Sequence, residues 1–185
     1  MSLHQTDFPA GSLVKHRLFI ALRPPAHALR RIASVEAGMT FSPRVADDRR
    51  HLTLFVSEDF ENEPVDLIQA ITAELDRVRI DAFDIALHRF GHLGTSLVSA
   101  RAKPVRHFHA QIAQKLALAG IASRKDWAFN PHVTLGYGEA PERSGRVIAP
   151  IAWRADEFVL IHSLLRLTMH RTIGSWPLIE QPRLL

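Results

Sequence analysis

The sequence contains no cysteine and no long hydrophobic run. The absence of cysteine excludes disulfides, thiolate zinc sites and cysteine nucleophiles. No apolar stretch approaches the roughly 18 residues that span a bilayer, and the run Leu18–Leu22 is too short for the core of a signal peptide. We therefore expect a cytoplasmic protein that does not associate with membranes.

Neither sign of charge dominates. The chain has 23 Lys and Arg against 19 Asp and Glu, a formal net charge of +4 over 185 residues. This excess is too small for a dedicated duplex-DNA binder, although it suits an anionic partner such as a phosphate or a nucleic acid. The length suits one globular domain. We predict a flexible leader over residues 1–15 and a single domain over residues 16–185.

Hydrophobic spacing predicts strands and helices that are mixed along the chain. Asn62 is the predicted N-cap of the second helix. The order strand, helix, strand, helix, hairpin, helix, strand, hairpin is typical of an α+β domain with an antiparallel sheet. The predicted strands cover residues 17–22, 51–56, 82–90, 96–101, 129–137, 157–161 and 165–170, and the predicted helices cover residues 29–36, 64–78 and 104–119.

One short pattern occurs twice. His51-Leu52-Thr53-Leu54 and His132-Val133-Thr134-Leu135 share the form His-x-Thr-x with hydrophobic residues at both x positions. By chance we expect about 0.1 such matches in a chain of this composition. A single copy is typical of a solvated or core-edge strand, whereas two matched copies on predicted strands indicate a function.

Strand geometry shows how the two copies can work together. Residues i and i+2 of a strand point to the same face, so His51 and Thr53 share one face, as do His132 and Thr134. If both strands border one cleft, two imidazoles and two hydroxyls converge there. One imidazole can act as a base and the other as an acid, while the hydroxyls can bind phosphate oxygens. Such a site can displace an alcohol from phosphorus without a metal.

The paired motifs resemble the signature of the 2H phosphoesterase superfamily. The segments RLFIAL followed by Pro24-Pro25, then HLTL, NPHVTL and SWPL, are most similar to the bacterial 2′-5′ RNA ligase / RNA 2′,3′-cyclic phosphodiesterase (LigT-like) group. This resemblance extends from Arg17 to Leu178. It implies two pseudo-symmetric lobes, each an antiparallel sheet with outer helices, around a central cleft. It also implies cofactor-free opening of a 2′,3′-cyclic phosphate to a 2′-phosphate.

The same resemblance assigns roles to the four motif residues. His51 would protonate the leaving 2′-oxygen and His132 would activate water, while Thr53 and Thr134 would hold the phosphoryl oxygens. Because the sequence does not orient the substrate, the acid and the base can be exchanged in this assignment.

Two positions depart from the family pattern. Many members carry an arginine five residues after the histidine of the second motif, where this chain has Tyr137. Many also carry a tryptophan shortly before the first motif, where residues 42–45 read Ser-Pro-Arg-Val. Arg101 is a candidate for the missing cation, although a solvated arginine is the favoured interpretation.

Other polar and aromatic residues receive ordinary structural interpretations. Core packing is favoured over base stacking for Trp127 and Phe129, which precede the second motif. His107 and His109 diverge by about 200° on a helix, so they do not form a metal site. The segment Asp47–Arg50 reads as a solvated loop whose arginines can flank the cleft.

The leading hypothesis from the sequence is a metal-independent phosphodiesterase that acts on 2′,3′-cyclic phosphates of RNA ends or small nucleotides. The alternatives are a 2′-5′ RNA ligase, an ADP-ribose cyclic phosphate phosphodiesterase, and a non-catalytic binder of phosphorylated RNA ends. The two histidines argue against the binder, because binding alone would favour Arg or Lys. No obligate protein partner is expected.

Overall fold

A computed structural model describes residues 14–39, 43–99 and 102–179. Residues 1–13 of the predicted leader therefore lie outside the described residues. The described ranges contain no helix that is both long and apolar enough to cross a membrane. Their helices are α1 (Ala26–Glu36), α2 (Val65–Leu75) and α3 (Lys103–Leu118), and their strands are β1 (His16–Leu22), β2 (Leu52–Val56), β3 (Phe83–Phe90), β4 (Ser96–Ser99), β5 (His132–Thr134), β6 (Val147–Ala155), β7 (Glu157–Leu164) and β8 (Met169–Pro177).

The eight strands form one sheet in the order β6-β3-β4-β5-β2-β1-β7-β8. Every neighbouring pair is antiparallel. The predicted α+β class with an antiparallel sheet is therefore confirmed. The predicted division into two lobes is not confirmed, because backbone pairing continues from one half of the sheet to the other through β5 and β2.

The two faces of the central strands differ sharply in burial. Leu52, Leu54 and Val133 are almost fully buried, and they join the same hydrophobic cluster as Ile32 of α1 and Phe108 of α3. The histidine and the threonine of each motif, which alternate with these positions, are only partly buried. The apolar positions of the motifs therefore anchor the sheet on the helices, and its other face is left for polar side chains.

The prediction differs from the structure at three places. The predicted strand at 165–170 is wrong, because residues 165–168 form a turn with positive φ at Arg166 and Thr168, and β8 begins at Met169. No strand was predicted where β6 lies. That strand is at the sheet edge and contains Pro150, and its buried and exposed residues alternate only from Ile151 onward. The predicted cap is also wrong, because α2 has Pro64 at its N-cap position and no side-chain capping bond.

A buried ion pair fixes the segment that leads into β2. Arg50 is 1% exposed, and its Nη2 donates to both carboxylate oxygens of Glu36 at 2.8 and 2.7 Å. Arg44 also donates to Glu36, at 2.6 Å, and Nη2 of Arg50 donates to the carbonyl oxygen of Val45. The predicted solvated loop is therefore wrong at Arg50, which ties the residue before His51 to the end of α1.

We expect Glu36→Ala to lower the free energy of unfolding by about 3 kcal/mol, because it leaves the buried Arg50 guanidinium with only the exposed carboxylate of Asp47, 3.4 Å away, as a counter-charge. Urea denaturation measures this change. Arg44→Ala is the matched control: the Arg44 side chain is 54% exposed, so its removal should cost about 1 kcal/mol or less. Equal losses in the two variants would contradict the structural role of the buried pair.

Candidate active site

All four predicted site residues border one cleft. His51, Thr53, His132 and Thr134 line a cavity of about 650 Å³ on the face of the sheet opposite the core. The structure therefore brings the two motifs together, although 81 residues separate them in the sequence.

The pairing of β2 with β5 arranges the four side chains in a square. Leu52 lies opposite Val133 in this antiparallel pair. Extending the register by one residue in each direction places His51 opposite Thr134 and Thr53 opposite His132. Side chains opposite each other in such a pair have Cβ atoms about 5 Å apart. Each histidine thus lies beside the threonine of the other motif, and the two imidazoles occupy a diagonal.

Each imidazole is held by a hydrogen bond of the same kind, to the carbonyl oxygen two residues earlier. Nδ1 of His51 lies 2.7 Å from the carbonyl oxygen of Arg49, and Nδ1 of His132 lies 2.7 Å from that of Asn130. A carbonyl oxygen only accepts, so Nδ1 carries the proton in each ring. In the neutral form Nε2 then has a free lone pair, and in the protonated form it is a donor. The motif therefore fixes the ring and the tautomer together.

The surroundings of His51 favour its neutral form. Its ring packs against Phe19 and His170, with centroids 5.5 and 5.6 Å away. Burial, opposed by the hydrogen bond to the Arg49 carbonyl and reinforced by the charges of His170 and Arg23, lowers the pKa of His51 from 6.5 to about 4. His51 is therefore a proton acceptor near neutral pH.

Several arginines bring positive charge to the cleft. Arg17 and Arg124 line it but are held by carboxylates, Arg17 by both oxygens of Asp59 at 2.5 and 2.7 Å. Arg49 and Arg166 also line it, and no carboxylate in the described part of the chain forms a salt bridge with either. These two cations are available for an anion.

The residues that the sequence analysis weighed beside the motifs lie in different parts of the structure. Tyr137 lines the cleft and is 60% exposed, whereas Arg101 lies outside the described residues. Trp127 lines the cleft, while Phe129 packs against the core and stacks on His109 at 3.8 Å. Within the described ranges, no group of three or more His, Asp or Glu side chains is arranged to hold a metal ion.

Sequence reasoning missed His170. This residue belongs to β8 and lines the cleft, where its ring contacts both His51 and Phe19. The predicted strand at 165–170 placed it at a strand end, and no local motif marks it. Its contact with His51 depends on pairing between distant strands, which leaves no short-range signal.

Comparison with known proteins identifies the family. The family model described as the 2′-5′ RNA ligase superfamily matches residues 23–166, most of the chain. The chain belongs to the 2′-5′ RNA ligase superfamily. This membership confirms the resemblance to 2H phosphoesterases that the paired motifs indicated. No curated protein matches the chain significantly in sequence.

Several solved structures share the fold. Escherichia coli LigT complexed with 3′-AMP is 24% identical with a TM-score of 0.67, and the match covers 89% of this chain and 98% of that one. LigT complexed with phosphate is 25% identical over the same shares, with a TM-score of 0.64. The protein TT0787 of Thermus thermophilus is 18% identical, with a TM-score of 0.69 over 88% of this chain and 97% of that one.

The lowered pKa of His51 predicts a pH-dependent stability. The unfolded chain, in which His51 regains its ordinary pKa, binds more protons than the folded chain between pH 6.5 and 4. The His51 contribution to stability is therefore complete above about pH 6.5 and is lost as the pH falls toward 4. Between neutral pH and about pH 5, we expect the free energy of unfolding of the wild type to fall by about 2 kcal/mol more than that of His51→Gln. Urea denaturation at the two pH values measures this difference. An identical loss of stability in both proteins would contradict the lowered pKa of His51.

Proposed function

We propose that the protein is a metal-independent phosphodiesterase that opens 2′,3′-cyclic phosphates at RNA ends to 2′-phosphates. The observation that carries this proposal is the square of two imidazoles and two hydroxyls on one face of the β2–β5 pair. Hydrolysis needs one group to take a proton from water, another to protonate the leaving oxygen, and donors for the phosphoryl oxygens. The square supplies all three.

Atom balance defines the leaving group. Water attacks phosphorus, the P–O3′ bond breaks, and the phosphate stays on the 2′-oxygen. The leaving group is therefore the 3′-oxygen, which corrects the 2′-oxygen named from the sequence. The base takes one proton from water, and the acid gives one proton to the departing 3′-oxygen.

The two imidazoles divide these tasks. His51 is neutral at pH 7 because of its lowered pKa, and its Nδ1–H is held by the Arg49 carbonyl, so Nε2 is a proton acceptor. We assign it the role of general base. His132, on the more open side of the square, is the general acid. This assignment exchanges the roles that the family resemblance implied.

The hydroxyls and the cations hold the phosphate. Thr53 and Thr134 each lie beside the histidine of the opposite motif, and both can donate to non-bridging oxygens. Arg49 and Arg166 line the cleft without a carboxylate partner among the described residues. We assign the cation that compensates for the tyrosine at position 137 to Arg49, because it lies two residues before His51.

A polar groove beyond His132 favours an RNA end over a free nucleotide. Val98 of β4 pairs with His132 on one side and with Arg89 of β3 on the other. Arg89 therefore lies two strands from His132 on the same face of the sheet, at a distance of about 10 Å. Arg89 and Arg106 line a cavity of about 380 Å³ that shares Asn130 with a second cavity, which borders His132. Neither cavity has a carboxylate among its described lining residues, so this route suits the phosphates of a nucleic acid strand.

The alternatives use the same site. A 5′-hydroxyl in place of water would give a 2′-5′ linkage, which is the ligase alternative, and an ADP-ribose cyclic phosphate would place a different alcohol on the phosphorus. A binder would have no need of two histidines with matched carbonyl bonds. A turnover panel of cyclic nucleotides, cyclic-ended oligonucleotides and 5′-hydroxyl acceptors, with the products identified, separates these activities. The cytoplasmic location remains a prediction.

Single substitutions of the histidines test both the mechanism and the division of roles. On a 2′,3′-cyclic nucleotide, His51→Ala and His132→Ala should each lose about 10²–10⁴ in rate, because each removes one proton transfer. A 4-nitrophenyl phosphodiester of thymidine has a leaving group that needs no proton. On that ester we expect His132→Ala to approach wild-type turnover and His51→Ala to remain impaired.

The exposed His27 of α1 provides the control, since His27→Ala removes a histidine outside the cleft. The opposite pattern on the aryl ester would reverse the acid and base roles. Near-wild-type turnover of the cyclic nucleotide by either active-site variant would rule out the two-histidine mechanism.

The groove predicts a substrate-length effect. Arg89→Gln and Arg106→Gln should each reduce kcat/KM for a cyclic-ended trinucleotide by about fivefold, since each removes one exposed phosphate contact. Turnover of the cyclic mononucleotide should not change. Arg154→Gln, on edge strand β6 and outside the groove, is the charge-matched control. Equal losses on both substrates would show that the arginines act on folding or on the reacting phosphate instead.

A further inference from the structure

His170 faces the active-site cleft because of its place in the sheet. Ser163 of β7 pairs with His170 on one side and with Arg17 of β1 on the other. All three residues line the cleft, so this row extends the polar face that carries the motif side chains. The backbone pairing thus brings a third imidazole to the site from the opposite end of the chain.

The ring of His170 is held in place by two neighbours. Its centroid lies 5.6 Å from that of His51 and 5.9 Å from that of Phe19, and both contacts are edge-on. Phe19 also contacts His51 at 5.5 Å, so the three rings form a closed triangle. His170 is therefore positioned by packing and not by a hydrogen bond.

The hydrogen-bonding capacity of His170 is unused. Its Nδ1 is buried without a partner, whereas Nε2 is not among the buried unpartnered atoms and forms no hydrogen bond with any described residue. A buried N–H without an acceptor is rarer than an acceptor without a donor. The proton of the neutral ring therefore belongs on Nε2, where it can reach a ligand in the cleft.

The charges around His170 keep the ring neutral and attract anions. Burial lowers its pKa, and the charges of Arg49 and Arg23 lower it further, while Asp48 acts in the opposite direction. A neutral ring with an N–H donor beside two guanidinium groups suits a phosphoryl oxygen. His51 provides an acceptor next to this donor, so the two rings offer complementary groups to one ligand.

We propose that His170 is a substrate-binding residue whose Nε2–H donates to a phosphoryl oxygen beside His51. The donor would add to those of Thr53 and Thr134, and it would act most strongly as negative charge grows on the phosphoryl oxygens during attack by water. This inference rests on the proposed phosphodiesterase function. It gives the site a third histidine that holds the phosphate and transfers no proton.

Two substitutions separate hydrogen bonding from packing. His170→Phe keeps a ring against Phe19 and His51 but removes the donor, whereas His170→Gln keeps a donor near the position of Nε2 and removes the ring. On a 2′,3′-cyclic nucleotide we expect kcat/KM to fall roughly 10- to 100-fold in the Phe variant, as for a lost hydrogen bond to a charged group. The Gln variant should stay within about threefold of the wild type. Thermal unfolding of both variants shows whether each one folds.

Other outcomes overturn the proposal. Activity retained by Phe and lost by Gln would mean that His170 acts only by packing. Equal losses in the two variants would show that a donor kept at this position does not preserve activity, which would also overturn the proposal. Unchanged activity in both would remove His170 from the site. His27→Gln controls for the loss of a histidine outside the cleft.

A separate measurement distinguishes failure of this proposal from failure of the proposed function. If the wild-type protein turns over no cyclic phosphate, the proposed function fails, and the variants are compared by calorimetric binding of a nucleoside 2′-monophosphate. Weaker binding by His170→Phe, with near-wild-type binding by His170→Gln, would still support the phosphate contact. Equal affinity of both variants and the wild type would overturn it.

Discussion

The site depends on one backbone register, Leu52 opposite Val133 in the pair of β2 with β5. This pair joins the two halves of the eight-stranded sheet, and it is the place where the two His-x-Thr motifs meet. The register is fixed from the other face, because Leu52, Leu54, Val133 and Leu135 must all enter the hydrophobic core. A slip by one residue would turn the apolar side chains toward the cleft and the histidines toward the core. Packing on one face therefore determines chemistry on the other.

Two copies of one motif acquire different properties from their neighbours. Each histidine donates Nδ1–H to the carbonyl two residues earlier, so the local structure of the two motifs is the same. His51, however, lies against Phe19 and His170 and follows Arg50, which the buried Glu36 holds in place. His132 lies at the end of the cleft that opens toward a polar groove. Desolvation on one side and openness on the other give a nearly symmetric site two unlike imidazoles, as acid–base catalysis requires.

The accuracy of the sequence-based prediction follows the strength of the apolar pattern. Strands β1 and β2 and helix α3 were predicted within a few residues, since their side chains enter the core at regular intervals. Strand β6, at the sheet edge, escaped prediction because most of its residues contact solvent. The charge on Arg50 made the segment before His51 look solvated, although a carboxylate from another element allows that guanidinium to be buried. Local patterns do not reveal a partner that is distant in the chain.

The sequence by itself determined which side chains share a face, because strand alternation depends only on neighbouring residues. That was enough to select both histidines and both threonines as site residues. Only the tertiary structure decided that the motifs lie side by side, that His170 joins them, and that His51 rather than His132 is enclosed by aromatic rings. These features arise from pairing between strands far apart in the chain, and burial and charge at each position depend on that pairing.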